Sequence, residues 1–130
     1  MMYRDPELQL SAQQADGIGM LELTGDLLSN TRLEPERILR DWIDHNVLRI
    51  VVRCAGLQQI DSAGLSALLS AIPRVRRRGG DIVLTEVNPR LKALFQVASI
   101  KRYFKTFGTL EEALDYLRPL ELSEPVAVAE

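Results

Sequence analysis

The chain has 130 residues, enough for one domain with one core, and 46% hydrophobic with 26% charged residues is an ordinary globular balance. A net charge of −2 argues against a nucleic-acid binder. The single Cys54 excludes an intramolecular disulfide and a multi-cysteine zinc site, and fits a reducing compartment.

The opening "MMYRDPELQL" lacks the apolar core of a signal peptide. No run in the chain approaches the roughly 20 apolar residues of a membrane span, so a cytoplasmic protein without direct membrane insertion is expected. "LQLSA" alternates apolar and polar residues, "QQADG" offers turn chemistry, and "IGMLELTG" alternates again, which predicts a hairpin of two strands. A helix follows with Leu33, Ile38, Leu39, Trp42 and Ile43 on one apolar face; Pro35 fits only its first turn, which sets the start near Leu33 or Glu34.

"LRIVVRC" is a continuous apolar run, as expected for a strand buried on both faces, with Cys54 a small buried residue. The next helix begins at Ser62 and carries Leu65, Leu68, Leu69 and Ile72 in a core-facing stripe. Pro73 should kink it or end it near Ile72. The arginines of "RVRRRGG" complement a helix C-terminus, and the glycines stop it. "DIVLTEV" is a strand, and Asn88-Pro89 starts a helix with Leu91, Leu94, Phe95 and Ala98 on one face. "YFKTF" is a short strand. Thr109 and Glu112 form a capping box ahead of Leu110, Ala113, Leu114 and Leu117. From Arg118 onward two prolines and no period predict a loose tail. The order β-β-α-β-α-β-α-β-α argues for an α/β layer on a mostly parallel sheet with right-handed crossovers.

Little in this chain points to catalysis, and no enzymatic activity is expected. His45 is the only histidine, and "QIDSAGL" lacks the Gly-x-Ser-x-Gly elbow of hydrolases. No metal-ligand spacing is present, and no Gly-rich phosphate loop follows a strand, so neither metal nor cofactor is expected. "RRRGGD" lies at a helix end, the wrong polarity for cradling phosphate, and reads most simply as a solvated, dipole-matched terminus. The chemistry concentrates at Asp61–Gly64. Asp61 or Ser62 can cap the helix, contributing about 1 kcal/mol. A phosphate on Ser62 would also sit at the positive end of the helix dipole, where the fold tolerates it. Opposite the leucine stripe, Ala63, Ser66, Ala67, Ser70 and Arg74 form a shallow face, suited either to helix propensity alone or to a partner.

"LELTGDL", "RIVVRCAGLQQIDSAGLSALL", "RRRGGDIVLTEVNPRLKALFQVASI" and "YFKTFGTLEEAL" together resemble a STAS domain, specifically the bacterial anti-sigma factor antagonists. The resemblance covers residues 8–117, leaving 1–7 as an N-terminal extension and 118–130 as a flexible C-terminal tail. It implies a single α/β domain with a mixed central sheet and helices packed largely on one side. It also implies a non-enzymatic partner switch that regulates transcription. The antagonist binds an anti-sigma factor that is also a serine kinase; phosphorylation of Ser62 ends binding, and a PP2C-type phosphatase restores it. The implied partner surface is Asp26, Asp61, Ser62, Ala63, Gly64, Ser66, Ala67 and Ser70, and a weak homodimer is compatible with it. The alternative is a constitutive STAS scaffold, either stressosome-like or the accessory subunit of an ABC lipid transporter, with no Ser62 switch. The chain departs from the family at Leu28, where a second acid is usual after Asp26, and at Arg53, where an aspartate is usual. Both departures remove negative charge from the expected neighbourhood of Ser62.

Overall fold

A two-residue Asp-Gly loop closes the first hairpin. Asp16 and Gly17 both take positive φ, 54° and 77°, between the paired Ala15 and Ile18. This is the geometry that matches the twist of the flanking strands β2 (Leu8–Ala15) and β3 (Ile18–Leu27). The computed structural model describes residues 2–4, 7–97 and 99–123. Ahead of the hairpin, residues 2–4 form an edge strand β1 (Met2–Arg4) antiparallel to β2, placed in the segment read from sequence as an extension.

After β3 come α1 (Leu33–Asp44), β4 (Arg49–Ile60), α2 (Ser62–Leu69), α3 (Ile72–Arg76) and β5 (Asp81–Thr85). Then α4 (Pro89–Val97), a 3-10 turn at Ile100–Tyr103, β6 (Lys105–Phe107) and α5 (Leu110–Leu117) complete the order. The sheet runs β1-β2-β3-β4-β5-β6. β1, β2 and β3 are antiparallel neighbours, while β3 through β6 are parallel, so the expected mixed α/β sheet is what the chain builds. Pro73 divides the helix after Ser62 in two, taking the first turn of α3, where its missing N–H costs nothing.

One face of the sheet carries the main core. Ile38, Leu39, Trp42 and Ile43 of α1 pack there with Leu68, Ile72 and Val75 from α2 and α3, and with Leu91 and Phe95 of α4. Among the described residues α5 covers the other face, where Ala113 and Leu117 sit on Ile18, Val51 and Val83 with Leu120 packed beside them. The Thr109–Glu112 capping box that starts α5 is fully formed. Cys54 is buried, and burial together with the Glu86 charge pushes its thiol up to about 12.

Several details differ from expectation. β4 does not end at Cys54 but runs on to Ile60, with register irregularities against β3 between Glu22 and Thr24 and between Gly25 and Asp26. Leu33 and Leu94, expected on core faces, are 67% and 44% exposed, and Ala98 lies outside the described residues. The loose tail expected from Arg118 is held through its first six residues. Arg49 donates from Nε to the Leu117 carbonyl at 3.1 Å and from Nη2 to the Leu120 carbonyl at 2.6 Å, and Ser123 N donates to the Arg78 carbonyl at 2.8 Å. Residues 124–130 lie outside the described residues.

Candidate functional site

At the end of β4 the chain leaves the sheet at Asp61 and enters α2 at Ser62. Asp61 is the N-cap: Oδ1 accepts from the Gly64 N–H at 2.8 Å. Its other oxygen, Oδ2, accepts from the Ser29 N–H at 2.9 Å, and the Asp61 N–H donates to the Leu27 carbonyl at 3.3 Å. The carboxylate therefore ties the helix start to the loop after β3. These N–H groups, Gly64 first and Ser29 next, hold its pKa below the usual carboxylate range. Of the two caps the sequence allowed, Asp61 takes the role.

Ser62 is thereby released from capping. It is exposed, it occupies the first helical position, and its hydroxyl makes no hydrogen bond among the described residues. Ser66 and Ser70 are exposed at four-residue intervals along the same face. Leu65 and Leu69 flank this row, half-buried. Beyond Ser66 the surface opens into a cleft of about 460 Å³ lined by Leu69, Ser70, Pro73, Arg76 and Tyr103 among others.

Not all the residues read from sequence as partner-binding reach this surface. Gly64 is buried against the end of β3: a Cβ there would fall inside contact distance of the Leu27 carbonyl oxygen and 3.0 Å from Leu27 Cγ. Ala67 is 3% exposed and lies in the α1–α2 seam beside Leu39 and Ala71, where a small side chain lets the helices approach. Both support the surface from beneath and are unavailable to a partner. Ala63 is half-buried. Asp26 is half-buried at the end of β3, and register pairs it with Gln59, two residues before Asp61.

The sequence reading missed the loop between β3 and α1. Thr31 is 3% exposed; its Oγ1 accepts from the Leu28 N–H at 2.8 Å and donates to the Asp26 carbonyl at 2.8 Å. This pins Leu28–Thr31 as a tight turn and aims the Ser29 N–H at Asp61. Asn88 does similar work behind β4, capping α4 through Leu91 N at 2.8 Å while its Nδ2 donates to the Leu57 carbonyl at 3.0 Å. The polar string "SNT" was the available signal, since such residues after a strand mark side-chain-stabilised turns.

Arg53 does not belong to this neighbourhood. Six residues of strand lie between it and Ile60, a span of about 23 Å at the rise of a β-strand. Its guanidinium donates to both oxygens of Glu86 at 3.0 Å and lies 3.5 Å from Glu22. The substitution noted in the sequence changes charge elsewhere on the molecule. Leu28 lies beside Ser29, whose N–H reaches Asp61 at the start of α2. His45 is exposed at the end of α1, with Nδ1 2.7 Å from the Asp41 carbonyl.

Among the described residues no cluster of His, Cys, Asp and Glu could hold a metal ion, and no helix is long and apolar enough to cross a membrane.

The sequence signature of the STAS domain matches residues 9–113, and the chain belongs to that family. It is 27% identical over 120 residues to the anti-sigma F factor antagonist of Paenibacillus polymyxa, covering 88% of this chain and 97% of that one. Among solved structures it shares its fold with the anti-sigma factor antagonist SpoIIAA in the unphosphorylated form (TM-score 0.67, 20% identity, 86% and 98% coverage). The phosphorylated Bacillus form gives 0.66 at 19% identity, covering 82% and 97%. A sulfate transporter family protein from Wolinella succinogenes has the same fold (TM-score 0.67, 20% identity, 80% and 87% coverage).

Proposed function

We propose that this protein is an anti-sigma factor antagonist whose α2 surface binds an anti-sigma factor with serine kinase activity, and that phosphorylation of Ser62 ends the interaction. The observation that carries the reading is the division of labour at the helix start. Asp61 does the capping, so Ser62 presents a hydroxyl with no structural duty. Its modification breaks no bond of the fold.

The consequence is electrostatic. A phosphoserine adds about −1.5 to −2 charge and three acceptor oxygens. At the first position of α2 the helix dipole stabilises that charge by about 0.3–1 kcal/mol, so the domain keeps its shape while its surface changes. Next to the ionised Asp61, the phosphate turns a nearly neutral row of serines and half-buried leucines into an anionic one. A partner seated on Ser62, Ser66 and Ser70 would have to desolvate that charge without a cation to meet it. A phosphatase of the PP2C kind would restore the neutral surface.

The test uses the full chain with an anti-sigma kinase encoded in the same genome. With ATP, phosphate is expected on Ser62 by mass spectrometry, and binding is expected to fall. Ser62→Ala should keep the affinity of the unmodified protein, while Ser62→Asp should lose about tenfold or more. Equal affinities for the two variants, or phosphate on another residue, would overturn the switch. The shared fold with the Wolinella sulfate transporter family protein favours a second reading, a constitutive STAS scaffold. A stable large assembly that ATP leaves unchanged would select it.

A further inference from the structure

At the far end of α3 from Ser62 lies a cavity of about 550 Å³ lined by Arg76, Arg102, Lys105, Asp81, Tyr116 and the Gly79–Gly80 turn among others. Its volume is that of a small-ligand site. The Asp81 side chain, 4% exposed, is fully satisfied. Oδ1 accepts from Arg76 Nε at 3.0 Å and from the Ile82 N–H at 2.9 Å, and Oδ2 accepts from the Tyr116 hydroxyl at 2.6 Å. The acid thus anchors Arg76 by one nitrogen, while the terminal nitrogens of that guanidinium make no hydrogen bond among the described residues.

Two more cations complete the wall. Lys105 Nζ lies 5.7 Å from the centre of the Tyr116 ring, and Arg102 stacks over Tyr103 at 5.5 Å. Neither makes an ion pair among the described residues. Several arginines elsewhere sit beside acids, as Arg37 does between Glu34 and Asp41. Here three cations share one carboxylate that is already neutralised, a net charge of about +2 around one cavity. The glycine amides are spent, Gly79 N–H on the Arg76 carbonyl and Gly80 N–H on that of Val75, so recognition falls to the side chains.

We infer that this cavity binds a small, soluble, phosphate-bearing molecule, held by the free fork of Arg76 and the unpaired charges of Arg102 and Lys105. A guanidinium fixed at Nε offers its remaining N–H groups in the planar pattern that suits phosphate oxygens. Lys105 and Arg102 supply the compensating charge for a dianion.

The probe is inorganic pyrophosphate, titrated into the full chain and followed by amide NMR shifts. Saturable shifts are expected at Gly79, Gly80, Lys105 and Tyr116, with inorganic phosphate competing. The double variant Arg102→Gln/Lys105→Gln should bind about tenfold more weakly or worse while melting at the same temperature. Arg102→Gln alone serves if the pair loses stability. Arg77→Gln, exposed and outside the cavity wall, should change nothing. Shifts that never saturate, an equal loss with Arg77→Gln, or binding to vesicles of anionic lipid but not to pyrophosphate would each overturn the assignment.

Discussion

Replacing Gly64 with alanine tests the approach of α2 to the end of β3. On helix propensity alone the substitution stabilises a helix interior by about 1 kcal/mol. Packing opposes it. The new Cβ would sit 2.8 Å from the Leu27 carbonyl carbon and 3.0 Å from Leu27 Cγ, with the carbonyl oxygen closer still. Relaxed carbon contacts lie at about 3.5–4.0 Å, so the helix must retreat by about 1 Å. The carbonyl is not free to turn aside, because it accepts the Asp61 N–H. Overpacking costs about 1–3 kcal/mol; a contact with a fixed backbone oxygen belongs at the upper end, about 3 kcal/mol, which leaves a net loss of about 2 kcal/mol and lowers Tm by about 7 °C. Urea unfolding of Gly64→Ala against wild type measures it, with Ser66→Ala on the exposed face as the propensity control, expected to gain about 0.5 kcal/mol. A Gly64→Ala protein as stable as wild type would refute the close approach.

Asp61→Asn tests the fork between Gly64 and Ser29. Because the folded pKa is lowered below the ordinary 3.8, the ionised form's contribution is full above that value and is lost as pH falls through the folded one. The stability gap between variant and wild type should be constant above pH ~5 and narrow as the solution is acidified further; a gap independent of pH down to acid unfolding would contradict it. Arg53→Ala removes both bonds to Glu86 and should cost about 1–2 kcal/mol, yet leave the rate of Ser62 phosphorylation unchanged. A slowed phosphorylation with native circular dichroism would show that Arg53 does reach the site. Cys54, buried with its thiol pushed up to about 12, should resist thiol reagents at neutral pH until urea unfolds the chain. Rapid labelling of the native protein would show that this strand opens.

Periodic apolar pattern made most of this fold readable, and its failures have local causes. β4 outran its apolar run because bulges against β3 break the two-residue alternation: Cys54, Leu57 and Ile60 are buried at intervals of three, a spacing no strand template contains. Ala67 reads as open because a single leucine stripe implies one buried side, and Gly64 reads as open only through the partner surface that the family resemblance implies. α2 has two buried sides, one on the sheet and one on α1, and small residues mark the second. Leu33 escaped burial by falling at the start of α1. The acid and serine of the site were visible in sequence, and so was the helix they start. Their division of roles was not, since it depends on a Ser29 N–H thirty-two residues away in sequence.

That distance has a consequence for folding. Local turns form in microseconds, whereas the contact between Ser29 and Asp61 requires β3 and β4 to align in parallel around the α1 crossover, a closure with a substantial entropic cost. Until then Ser62 is a serine in a flexible segment, with no turn at Leu28–Thr31 beside it and no capped helix behind it. A partner of the proposed kind would therefore sense the integrity of the domain along with the state of one hydroxyl.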